Sequence, residues 1–371
     1  MKKLKVIQFL PSLDAGGVER GTLEIASALM KSGHESLVVS AGGRLVAELE
    51  EQGSSHHLWR LDRKSPLTLR FVRPLRRWLE EQRADVIHVR SRMPAWTVWL
   101  AWRKMNPDTR PRLVSTLHGL HSVSRYSEIM GCGERVITVS ETARQYLLDN
   151  YPRIDSDKIQ VIYRGVDPSE FPRGCRPDDQ WLGQWQKDFP QLEGKKIICL
   201  AGRLTRLKGH QQLIELVDSL HREGREVAAL VVGGEDPKRI AYAQALYAEV
   251  RERGLSNHVV FTGHRSDLKN IYAVSDVVLS LSTKPESFGR SVLEALSIGT
   301  PVVGYAHGGV GEILESLYPA GKVEPSDASG LQTVVQQVLT GEIPAIAENT
   351  NYLLSDMCGQ VLDVYQEVST W

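Results

Sequence analysis

Short, continuously apolar runs alternate with helix-like stretches from one end of the chain to the other, and the scheme occurs twice. In the first half the runs are "KVIQFL" (5–10), "ESLVVS" (35–40), "DVIHV" (85–89), "RLVST" (112–116) and "RVITVS" (135–140). In the second they are "KIICLAG" (196–202), "VAALVVGG" (227–234), "HVVFTG" (258–263), "DVVLSLS" (276–282) and "PVVGYA" (301–306). Successive rather than alternate residues are apolar, the pattern of strands covered on both faces in a parallel sheet. Helix-like sequence follows these runs, as in "VERGTLEIASALMKSG" (18–33), with apolar spacings of three and four and a stop at Gly33. The section from about 166 to 194 carries four prolines and little periodicity, and reads as a linker. A chain of 371 residues also suits two cores better than one. The expectation is therefore α/β: two doubly wound domains, 1–170 and 195–349, facing across a cleft and joined by 171–194. A C-terminal helix of about 350–371 is expected to return to the first domain. Ligands of such sheets bind outside the carboxyl ends of the strands, so the loops there carry the chemistry.

Composition narrows the class. The chain is 42% hydrophobic and 24% charged, as soluble globular proteins are. Its formal charge is zero but uneven: residues 1–170 hold 26 Lys and Arg against 20 Asp and Glu, leaving 19 against 25 for the rest. A basic first half suggests an anionic partner on that side. Cys132, Cys175, Cys199 and Cys358 have no paired spacing, which suits reduced thiols rather than a zinc site or a disulfide framework. The N-terminal apolar run is about five residues, too short for a signal core, and no run of about 18 apolar residues predicts a membrane span.

Three strand-end loops stand out. "PSLDAGGVER" places Gly16 and Gly17 in a turn at a helix start, where backbone N–H groups favour an anion; an ordinary tight turn would need the same glycines. "AGRLTRLKGH" places Arg203 and Lys208 between a strand and the next helix, where two cations can clamp a diphosphate. "STKPESFGRSVLE" predicts a helix over 288–298 with Ser287 as N-cap, and aims the amides of Phe288, Gly289 and Arg290 at an anion or at sugar oxygens. Glu286 and Glu294 flank that helix start, and a carboxylate accepts paired hydrogen bonds from a vicinal diol.

With "FTGH" (261–264), "GTPVV" (299–303) and "GGVGE" (308–312) in order behind them, these elements resemble the retaining glycosyltransferases of family 4. Those enzymes have the GT-B fold of two Rossmann-like domains. The resemblance implies a donor diphosphate on Arg203, Lys208 and the Gly16–Gly17 loop. It implies the nucleotide ribose on Glu294, and the transferred sugar on Glu286 and the Phe288–Gly289 amides, beside that of Arg290. The base falls to the backbone of Thr262, Gly263 and His264. His118, in the strand-end loop "STLHGLH" (115–121), matches the histidine that faces the donor sugar, so His118, Glu286, Arg203 and Lys208 form the expected catalytic set. Arg164, in "VIYRGVD" (161–167), stands where the family more often has asparagine.

Within the family, "HVRSRMPAWTVWLAWRK" (88–104) resembles members that build the lipopolysaccharide core. That implies a glycolipid or oligosaccharide acceptor held by Arg90, Arg92 and Trp96. Trp96, Trp99 and Trp102, at spacings of three, lie on one side of a helix and suit a membrane interface, with core packing as the alternative. The segment 59–83, with Arg60, Arg63, Lys64, Arg70, Arg73, Arg76 and Arg77 among leucines and aromatics, reads as a basic amphipathic surface for anionic lipid or as a solvated helix face. The expected location is cytoplasmic, peripheral to the inner membrane. The donor is expected to be a UDP- or GDP-sugar, with no metal: the single Asp-x-Asp, Asp155 and Asp157, sits in a turn between a helix and a strand. No nucleic-acid partner is expected. A nucleotide-sugar epimerase and a non-catalytic binding scaffold are the alternatives, and the missing GxGxxG fingerprint disfavours a dehydrogenase.

Overall fold

The computed structural model describes residues 2–14, 16–237, 239–342 and 344–371. The chain divides into two compact units, one running to Gly165 and taking in Leu354–Trp371, the other spanning Val166–Leu353. The first contains β1 (Lys5–Phe9), β2 (Glu35–Ser40), β3 (Ser55–Leu58), β4 (Val86–Val89), β5 (Arg112–Leu117), β6 (Arg135–Thr138) and β7 (Ile159–Val161). They form one parallel sheet in the order β3-β2-β1-β4-β5-β6-β7. The second contains β8 (Lys196–Ala201), β9 (Val227–Val232), β10 (Val259–Gly263), β11 (Val277–Ser280), β12 (Val302–Tyr305) and β13 (Lys322–Val323). These too are parallel, in the order β10-β9-β8-β11-β12-β13.

Every residue of β9 is buried, which accounts for its unbroken apolar run; β4 is buried throughout as well, its one polar residue, His88, being hydrogen-bonded inside. The order of strands reverses between β1 and β4, and again between β8 and β11. In an open sheet that reversal splays the following loops apart and leaves room for a ligand. The loops concerned hold Gly16 and Gly17 (after β1), Arg90 and Arg92 (after β4), Arg203 and Lys208 (after β8) and Glu286 (after β11).

Two departures from the sequence expectation have local causes. Strand β3, "SHHL", has no buried residue and so no apolar run to reveal it. Within the expected linker, Asp179–Asp188 is a helix, capped by Asp178, whose carboxylate accepts from the amide of Trp181 at 2.7 Å. Trp181 stacks on Trp185 with ring centroids 4.9 Å apart and donates from Nε1 to Asp267 at 2.8 Å. This segment is thereby a wall of the second unit.

The helix Leu354–Val368 belongs to the first unit. It buries Met357, Val361, Val364, Tyr365 and Val368 against Leu4, Val6, Val86, Val114 and Ile137. At about 1.5–3 kcal/mol per buried side chain, this contact is a large part of that unit's stability. It is also directional: the Tyr365 hydroxyl lies 2.6 Å from Nδ1 of His88, whose Nε2 lies 2.6 Å from Oγ1 of Thr116.

Candidate functional site

In the second unit three loops are drawn together by backbone contacts. Thr283 donates its amide to the Leu207 carbonyl at 2.8 Å, and Gly309 donates to the Glu286 carbonyl at 2.8 Å. Gly309 is required there, because a Cβ would lie 2.4 Å from Cα of Phe288. His307 ties the same corner through Nε2, 2.8 Å from the Ser282 carbonyl. The loops after β8, β11 and β12 thus share one platform.

On it, Lys208 Nζ lies 2.7 Å from Oε1 of Glu286, with the two side chains 30% and 29% exposed. The Ser282 hydroxyl donates to the same carboxylate oxygen. Four residues into the next helix, Glu294 accepts from Nε of Arg290 at 2.8 Å and is almost completely buried. Arg203, Gly263 and His264 are exposed on the neighbouring loops. The Phe288 ring points into the core, 6.2 Å from that of Tyr352.

The helix starts later than the sequence suggests. Gly289, at φ 152, is the N-cap in place of Ser287, and the helix runs Arg290–Ile298. A φ of that sign is open to glycine at little cost, so the chain turns straight from the Glu286 loop into the helix. Leu293 makes the first intrahelical bond, to the Gly289 carbonyl at 3.0 Å. The amides of Arg290, Ser291 and Val292 therefore lack intrahelical acceptors, as the first turn of a helix must.

In the first unit, Gly16 caps the helix Gly17–Lys31. The Gly17 carbonyl accepts from the buried Arg164 guanidinium at 2.8 Å, and Arg164 also lies 3.4 Å from Glu24. His118 follows β5 directly and is half-buried. Burial, and then the charges of Arg90 and Arg164, push its pKa well below the ordinary histidine value, which keeps the ring neutral near pH 7.

Arg90 departs from its expected role in acceptor binding. It is only 4% exposed, donating to Oε1 of Gln8 at 2.5 Å and to the Gly21 carbonyl at 3.3 Å. Strand β4 lies beside β1, and at its end the side chain turns inward over Gln8. Arg92 and Trp96 do come together around Tyr126. Arg92 lies over the Tyr126 ring at 5.1 Å and donates to Ser127 Oγ at 3.2 Å, and Trp96 Nε1 donates to the Tyr126 carbonyl at 3.0 Å. Trp102 is buried, donating to the Pro111 carbonyl at 2.7 Å under the Arg110 guanidinium, and so belongs to the core. His121 is half-buried with its carbonyl bonded by the Tyr146 hydroxyl. Burial, and then Arg92, lower its pKa to about 4.

Sequence reasoning passed over Ser282, His307 and the Arg164–Glu24 pair. The "SLS" before "TKPES" and the histidine before "GG" were the available signals. Glu24 gave none, as one acid in an amphipathic helix. Among the described residues, no three His, Cys, Asp or Glu side chains are grouped to hold a metal ion, and no helix is long and apolar enough to cross a membrane.

Residues 15–170 match the family described as Glycosyltransferase Family 4, and residues 183–352 match Glycosyl transferases group 1. N-acetyl-alpha-D-glucosaminyl L-malate synthase of Bacillus anthracis is 24% identical over 354 residues, which is 92% of this chain and 88% of that protein. A glycosyltransferase from Rickettsia africae ESF-5 superposes with a TM-score of 0.82 at 28% identity, covering 99% of each chain. Anabaena HepE, crystallised with UDP and glucose, superposes at 0.77 with 20% identity over 98% of this chain and 99% of its own, a likeness of fold. Both units are matched, and both sheets are parallel and flanked by helices; this chain belongs to the family 4 glycosyltransferases, as a hexosyltransferase of the GT-B fold.

Proposed function

We propose that the protein is a retaining glycosyltransferase that needs no metal and moves a hexose-type unit from a nucleotide sugar to a hydroxyl of a glycolipid or oligosaccharide. The observation that supports it best is the Lys208–Glu286 pair, set where the loops after β8 and β11 meet and ahead of the helix Arg290–Ile298. One ligand carrying a diphosphate next to a polyol satisfies both partners: the ammonium and Arg203 take the phosphates, and the carboxylate takes sugar hydroxyls. Glu294 would receive the ribose and the Thr262–His264 backbone the base. These cations and the N-terminal end of the helix Arg290–Ile298 would offset the diphosphate charge that a metal would otherwise meet.

In the proposed step the bond from the sugar's anomeric carbon to the diphosphate breaks, and the electron pair leaves with the phosphate. The acceptor oxygen bonds to the same face, and its proton passes to an oxygen of the departing diphosphate. His118, neutral, offers the sugar a hydrogen bond without adding charge. The acceptor is proposed to be lipopolysaccharide core or a similar glycolipid, met by Arg92 and Trp96. The basic segment around 59–83 is proposed to rest on the cytoplasmic face of the inner membrane. Its residues Arg60, Arg63, Arg70, Arg73 and Arg77 are exposed, as that reading requires.

Glu286→Gln and His118→Ala test the assignment. Each should lower kcat by about 10²-fold or more while leaving the circular dichroism spectrum unchanged. Either enzyme retaining full activity would refute its residue's role.

A further inference from the structure

A trough with an apolar floor and cationic ends lies along the helix Arg92–Trp102. It consists of two hollows that share Leu69 and Leu100. One, of about 400 Å³, is walled by Met93, Trp96 and Tyr126 with Lys64 at its edge. The other, of about 470 Å³, is edged by Arg70, Arg73 and Lys104. No carboxylate lines either hollow. Leu69 is 45% exposed, and Leu67 beside the hollows 70%.

The chemistry restricts what can lie there. A bare phosphate needs the cations and has no use for a floor of Leu, Met and Trp. A neutral hydrocarbon would make no use of the four cations at its edges. The two features are satisfied together by an amphipathic anion: a chain of methylenes along Leu69 and Leu100, with its phosphate against Arg70, Arg73 and Lys104. Long cationic side chains are suited to this arrangement, since their stems extend the apolar wall while the heads remain in water. Tyr126 closes the far end, with Lys64 Nζ 4.6 Å from the centre of its ring.

We propose that this trough seats the acyl chain of an anionic lipid. The inference rests on the lipid-directed reading above, and makes it specific: a seat for one chain, in place of a diffuse attraction between charged surfaces. Lipid binding is read without donor or acceptor present, so the trough can fail its test while the transferase assignment stands, and the reverse.

The test titrates the full-length protein with dihexanoyl phosphatidic acid kept below its critical micelle concentration, following tryptophan fluorescence. The account predicts a saturable shift, binding at least tenfold weaker for dihexanoyl phosphatidylcholine, and no shift with inorganic phosphate alone. Leu69→Glu should weaken phosphatidic acid binding at least tenfold, and the neutral Leu69→Gln should weaken it less. Leu69 is exposed enough for both variants to fold. Absence of a saturable shift, equal binding by both Leu69 variants and the parent, or complete displacement by inorganic phosphate would overturn the proposal.

Discussion

Arg90 and Arg92 are two residues apart and do different work. The Arg90 guanidinium is enclosed, bonded to Gln8 and the Gly21 carbonyl, so its removal strands a buried side-chain oxygen and opens a cavity. Arg90→Ala should therefore destabilise the first unit by about 3 kcal/mol in urea unfolding, whereas Arg92→Ala should leave stability within about 0.5 kcal/mol. Equal stability losses in the two variants would contradict this division. The pair also marks what can be read from a sequence. "RSR" at a strand end states that two cations emerge there, and only the neighbouring β1 decides which turns inward. Glu286 and Lys208, 78 residues apart, were legible separately as strand-end residues. Their direct contact depends on how β8 and β11 lie side by side, which no local pattern encodes.

At the scale of elements, the loop that carries Glu286 has its position from its neighbours. Gly309, at the head of the helix Gly308–Leu317, leaves no room for a methyl group beside Phe288. Gly309→Ala must push the Glu286 loop outward, and a displacement of this kind should cut kcat/KM by about tenfold or more and cost the second unit about 1–3 kcal/mol. Activity assays alongside thermal unfolding would show it; a fully active variant of parental stability would mean that the loop is not held as described. The elements themselves were largely legible, because fully buried parallel strands announce themselves as apolar runs. Strand β13 is only two residues long and went unread, and two other elements escaped for specific reasons. Strand β3 lies at a sheet edge with no buried side chain, and the helix Asp179–Asp188 sits among prolines at 168, 172, 177 and 190 that suggested a linker. The start of the helix Arg290–Ile298 was misplaced because Ser287 resembles a cap, while Gly289 adopts the backbone angle that makes one.

For the molecule as a whole, the uneven charge now has a location. Arg70, Arg73 and Lys104 edge one hollow of an apolar trough in the first unit, while the platform proposed to take the donor belongs to the second. The most direct measurement is nucleotide release from a panel of UDP-, GDP- and ADP-sugars, with and without core lipopolysaccharide fragments and with EDTA present throughout. The account predicts release from one donor, stimulated by an acceptor and indifferent to EDTA, with the anomeric configuration kept in the product. Release that EDTA abolishes would contradict the metal-independent mechanism. Free or epimerised sugar formed without acceptor, or donor binding with no release under any acceptor, would contradict the assignment of a sugar transfer reaction.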